Sequence, residues 1–169
     1  MVLAFSCGKA SAPPASPVGR DSVPVAAAGA PSAPVDFVFD SLDERPMSAE
    51  ATRGKPTVMT FVTTESLAAQ AEVDFLVAMS KNDGDRVHYA VVAIEDRDSR
   101  ELVALYRKAL SIPFPVAMAD AQTMAGAGAF GDVRAVPVTV ILDRRGRIAW
   151  RADGRLAKSD ELRAALRGL

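Results

Sequence analysis

Two apolar and β-branched runs, residues 57–63 (TVMTFVT) and 87–94 (VHYAVVAI), constrain this chain more than any other feature. A strand with one wet face alternates polar and apolar side chains. These two barely do, so they read as strands covered on both faces, the habit of sheets flanked by helices. Between them, residues 66–81 place Leu67, Ala71, Phe75 and Met79 four apart, which predicts a helix with that stripe inward. Asn82, Asp83, Gly84 and Asp85 stop it. A second helix is expected over 98–109, with Asp98 and Glu101 spaced as a capping box and Leu102, Leu105, Tyr106 and Ala109 as its inner face. Residues 115–118 read as a short strand and 121–130 as a glycine-interrupted helix. Residues 138–142 and 147–151 form a hairpin across Asp143, Arg144, Arg145 and Gly146, and Ser159 caps a last helix to Leu166. Upstream, residues 35–39 (VDFVF) form a half-buried strand. The order is strand, helix, strand, helix, hairpin, helix: an α/β fold with a mixed central sheet, helices on both faces, and a C-terminal hairpin plus helix.

The chain has 169 residues, 49% of them apolar, enough for one domain with a sizeable core. Residues 1–34 are mostly Ala, Pro, Ser and Gly, and cannot bury enough surface to offset their ordering entropy. They are expected to be a flexible tether, with the folded domain over 35–169. There is one cysteine, Cys7, and one histidine, His88. An internal disulfide is therefore excluded, and so is a Cys/His zinc site, which needs about four ligands. No metal or other cofactor is implied. His88, at a strand start with no second ligand in view, reads as structural, and Trp150 as core or edge packing. No run of about 18 apolar residues, the length of a membrane-spanning helix, is present.

The net charge of -1 hides a division. Residues 35–132 carry nine basic and sixteen acidic side chains, and residues 133–169 carry nine and four. The basic third offers Arg144, Arg145, Arg147, Arg151 and Arg155 to an acidic partner, although a solvated arginine-rich surface is the simpler account. No aromatic residues interleave these arginines, so no nucleic-acid groove is expected.

Residues 54–64 (GKPTVMTFVTT) and 135–148 (AVPVTVILDRRGRI) resemble two motifs of thioredoxin-fold proteins of the TlpA, ResA and redoxin type. The first resembles the strand that leads into that family's active-site helix. The second, with Val136-Pro137, an apolar strand and Asp-x-x-Gly-x-Ile, resembles its cis-proline loop and hairpin. The resemblance covers about residues 35–169 and implies thiol-disulfide chemistry. The family puts Cys-x-x-Cys at the start of that helix, where exposed N–H groups and the helix dipole stabilise a thiolate. Here Ser66 stands at the attacking position, Ala69 at the resolving position and Glu65 at the preceding tryptophan. Ser66 as a substitute nucleophile would need a general base within hydrogen-bond reach, and His88 belongs to a distant strand start. An N-cap role is the expected one. A peroxidatic cysteine or a copper site of two cysteines and a histidine fails on the cysteine count.

Leu3-Ala4-Phe5-Ser6-Cys7 resembles the end of a bacterial lipoprotein signal, although Phe5 is bulky and six residues are too few for an apolar region of about 7–15. Lipidation at Cys7 would place the domain in the bacterial envelope or periplasm, anchored only through that lipid. Without processing it would be cytoplasmic. The expected function is a binding or assembly module that takes a protein or peptide segment at Val136 and Pro137 beside Glu65, Ser66 and Ala69. The alternative is a thiol-disulfide or antioxidant enzyme acting through Cys7 or a partner's cysteine.

Overall fold

Residue pattern becomes architecture most directly in the strands. In a computed structural model that describes residues 33–169, all six side chains of β3 (Thr57–Val62) are buried, as are five of six in β4 (His88–Ala93). Residues 1–32, and with them Cys7 and most of the expected tether, lie outside the described residues. β3 and β4 pair in parallel, Thr57 beside His88 through Val62 beside Ala93. Around them the sheet adds β1 (Val38–Ser41), β2 (Met47–Ser48), β5 (Val116–Met118), β6 (Val138–Leu142) and β7 (Ile148–Asp153), in the order β2-β1-β5-β4-β3-β6-β7. β5 joins parallel to β4, while β1, β2, β6 and β7 run antiparallel to their neighbours.

The helices are α1 (Ala49–Thr52), α2 (Leu67–Asp83), α3 (Arg100–Ala109), α4 (Ala121–Met124) and α5 (Ser159–Arg167). Residues of α2, α3 and α5 close one face, with Val73, Leu76, Val103 and Leu162 at their contact with the sheet. On the other face four rings meet: Phe37, Phe39, Phe61 and Phe130, with centroids 5.1–6.2 Å apart.

Several boundaries and faces differ from expectation. β1 starts at Val38; of the 35–39 run, Phe37 and Phe39 are buried and Val35 packs half-buried against the same cluster. The helix expected over 121–130 is one turn, capped by Asp120, whose carboxylate accepts from Thr123 N–H at 2.7 Å. Gly126 and Gly131 then take positive φ, so the chain leaves the helical path. The last helix is entered at Lys158, whose N–H donates to Glu161, and Ser159 is its first residue rather than its cap. No capping bond forms before α3; a short 3₁₀ turn, Arg97–Ser99, leads into it.

The inner faces of the two long helices are also turned from the predicted ones. Leu67 is 79% exposed and Phe75 48%, whereas Ala69, Val73 and Leu76 are fully buried. On α3 Tyr106 faces inward as expected, but Leu102 and Leu105 face outward and Val103 takes their place inside. The inner face of α2 runs through Ala69, Val73, Leu76 and Met79.

Phe61→Ala tests the ring cluster. It should lower unfolding free energy by about 3–5 kcal/mol in urea melts, the cost of an unfilled aromatic cavity.

Candidate functional site

The site is built where β3 ends, where α2 begins, and where the chain enters β6. β6 pairs antiparallel with β3, Val138 opposite Phe61, so the preceding Pro137 and Val136 run beside the exit of β3 towards α2. The Val136–Pro137 bond is cis. Pro137 is buried, Val136 half-buried and Ala135 exposed. The Pro137 carbonyl accepts from Gly154 N–H at 3.0 Å, at a positive φ of 63° that glycine takes without strain. Among the described residues neither the N–H nor the carbonyl of Val136 has a hydrogen-bond partner.

Ser66 is the N-cap of α2. Its hydroxyl accepts from Ala69 N–H at 3.2 Å, and Ala69 itself is fully buried. Glu65 is exposed. The turn before the helix is pinned by a residue the motif reading passed over. Glu95 accepts from Thr64 N–H at 2.8 Å and from the Thr64 hydroxyl at 2.9 Å. Gln70 closes the same turn from the helix side, donating to the Thr64 carbonyl at 3.2 Å.

Behind the helix start lies a second group that sequence reasoning missed. Glu72 is fully buried. Its carboxylate accepts from the Thr139 hydroxyl at 2.9 Å and from Ala157 N–H at 2.8 Å, and Thr139 meets the Thr60 hydroxyl at 3.0 Å. One residue thus connects α2, β6 and the approach to α5. Burial raises the Glu72 pKa from its ordinary 4.5, and the Ala157 N–H and Thr139 hydroxyl pull it partly back. A signal existed: Glu72 lies three residues after Ala69 and four before Leu76, both inward. Phasing the helix on those residues rather than on Leu67 and Phe75 places Glu72 inside.

His88 is remote from all of this. It pairs with Thr57 at the far end of β3, about 17 Å along the strand from Val62 at 3.3 Å per residue. Partial burial lowers its pKa, with Lys55 adding to the effect. Among the described residues the one hydrogen bond of the Ser66 hydroxyl is the cap it accepts from Ala69 N–H. Among the described residues there is no cluster of three or more His, Cys, Asp or Glu able to hold a metal ion. Trp150 is half-buried on the edge strand β7, packed against the helix-covered core.

No family model matches the chain, and no curated protein does. Solved structures do. A DsbF homologue from Corynebacterium diphtheriae superposes with a TM-score of 0.71 at 19% identity, over 82% of this chain and 87% of its own. A thiol:disulfide interchange protein of the thioredoxin family from Chlorobium tepidum gives 0.69 at 19%, over 83% and 97%. StoA from Bacillus subtilis gives 0.62 at 18%, over 80% and 98%.

The Glu72 ionisation makes stability depend on pH with a definite sign. A raised folded pKa means that the folded protein holds the proton longer than the unfolded chain. The Glu72 contribution is then greatest below its ordinary 4.5 and is lost as pH rises through the folded value. Glu72→Gln keeps a carbonyl for Ala157 and removes the titration. Unfolding free energies across pH 4.5 to 8 should therefore fall more steeply in wild type than in the variant. Parallel profiles would refute the assignment. The strands, the helices covering them and the superpositions together make this chain a thioredoxin fold with a single cysteine in its sequence.

Proposed function

We propose that the domain is a binding module without thiol chemistry, which takes an extended segment of a protein partner along residues 135–137 beside the start of α2. The unpaired backbone of Val136 carries this reading. A half-buried residue with a free N–H and carbonyl, next to a strand end, is what an incoming extended segment pairs with in strand addition. The thiol positions support the other half. Ser66 is used as a helix cap and Ala69 is buried, so neither offers a nucleophile, while Glu95, Gln70 and Glu72 keep the surrounding frame in place. Two of the similar structures are described as secreted, a Mycobacterium tuberculosis disulfide oxidoreductase and a Corynebacterium glutamicum thiol-disulfide isomerase. Together with the lipoprotein-like sequence around Cys7, they support an envelope location, with lipid attachment at Cys7 as part of the proposal. No helix among the described residues is long and apolar enough to cross a membrane.

Two experiments test the reading. Wild-type protein should not accelerate insulin reduction by dithiothreitol, whereas Ser66→Cys combined with Ala69→Cys should, because the frame that lowers a helix-start thiol pKa is retained. Wild-type turnover that disappears in Cys7→Ser would establish the enzymatic alternative instead. For binding, Val136→Arg should remove the partners that wild type retains from envelope extracts of its native source. An unchanged set of partners would overturn the docking surface.

A further inference from the structure

At the end of the sheet opposite the Val136–Pro137 loop, a cavity of about 390 Å³ is ringed by four arginines, Arg86, Arg144, Arg163 and Arg167. They come from three places in the sequence order. Arg86 follows α2, Arg144 lies in the β6–β7 turn, and Arg163 and Arg167 lie one turn apart on α5. One carboxylate, Asp83, shares the lining. It faces Arg86 at 3.8 Å and accepts from the Tyr89 hydroxyl.

Most arginines outside this cluster are paired, Arg53, Arg97 and Arg145 being the exceptions among the described residues. Arg134, Arg147, Arg151 and Arg155 each have a carboxylate within 2.6–2.8 Å. Three of these belong to the basic face expected from the sequence, which is thus largely neutralised internally. Among the described residues, Arg163 and Arg167 have no ion-pair partner. Arg144 reaches only the Leu169 carbonyl, at 3.4 Å.

Charge arithmetic decides whether helix ends alone explain the cluster. α2 and α5 both end here, and two helix C-termini supply about one negative charge between them. Four guanidiniums against one carboxylate and that dipole charge leave about two positive charges unanswered. A terminal carboxylate at Leu169 would still leave about one. Pro56, Val87 and Leu166 supply the apolar part of the lining.

We infer that this cavity is a binding site for a small phosphate monoester carrying an apolar body. A phosphate monoester brings about 1.5 to 2 negative charges at neutral pH, enough to answer an excess of about one to two. Guanidinium forks match its oxygens in pairs, and the apolar part of the lining takes the ester group. The volume falls within the roughly 300–1,000 Å³ of small-molecule sites. The site is separate from the docking surface proposed above and does not rest on it.

Phenyl phosphate is the probe, followed by amide resonances in ¹⁵N-labelled protein. The amides of Val87, Arg144 and Leu166 should shift saturably, inorganic phosphate should bind more weakly, and sodium chloride at equal ionic strength should not reproduce the shifts. Arg163→Gln with Arg167→Gln should weaken binding by tenfold or more, about what losing one charged hydrogen bond costs. Both side chains are exposed, and Arg144→Gln gives an independent variant on a different element. Val136→Arg should leave the titration unchanged. Shifts that do not saturate, that sodium chloride reproduces, or that persist undiminished in both arginine variants would overturn the site and leave an adventitious ion only.

Discussion

The packing of this fold depends on how one buried carboxylate is satisfied. Glu72 sits in the middle of an otherwise apolar helix face, between Ala69, Val73 and Leu76. A carboxyl group there costs several kcal/mol unless it is neutralised or hydrogen-bonded. The structure meets that demand from two directions. Thr139 is presented by β6 just after the Val136–Pro137 loop, and Ala157 N–H by the segment leading into α5. Meeting it fixes the rotation of α2, and that rotation places Ala69 inward and leaves Leu67 and Phe75 outside. The start of α2, the entry to β6 and the approach to α5 are therefore positioned by one polar contact set, independently of any thiol.

That independence means the frame at the start of α2 needs no thiol to hold it. A helix-start cysteine depends on exposed N–H groups, and the frame does not depend on the cysteine. Ser66 accepts one of those N–H groups itself, which gives the helix end a stabilising partner. The turn before it is held from β4's exit by Glu95 and from α2 by Gln70. Among the described residues, what is left without a partner here is main chain, at Val136.

Strands were legible in the sequence and helix faces were not, for a physical reason. β3 and β4 are buried on both sides, so their composition alone identifies them, and the hairpin was marked by Gly146 at a φ of 79°. A helix face is read from which residues repeat, and large apolar residues attract the reading. On α2 the buried face runs through Ala69, Val73, Leu76 and Met79, while Leu67 and Phe75, the largest side chains of the first turns, are exposed. On α3 the outward Leu102 and Leu105 misled in the same way. Misphasing α2 also hid Glu72, since a glutamate among alanines looks like a solvated position. Charge showed the same limit. Counting arginines located a basic third, but only geometry separated Arg147, Arg151 and Arg155, which are paired, from Arg163 and Arg167, which are not.

The two unpartnered features lie at opposite ends of β3, and the material between them bears on whether they act on each other. Communication needs an element with two arrangements that both sites bias. β3 offers none. Its six side chains are buried, it is paired on both sides with β4 and β6 in continuous register, and rings or helices cover both faces. α2 does run the whole distance, from Ser66 to Asp83, but Glu72 anchors it near one end and Val73, Leu76, Val77 and Met79 along its length. A close-packed interior of this kind resists sliding by less than a turn. The free energies of occupying the two ends should then add, as those of well-separated sites without shared partners do.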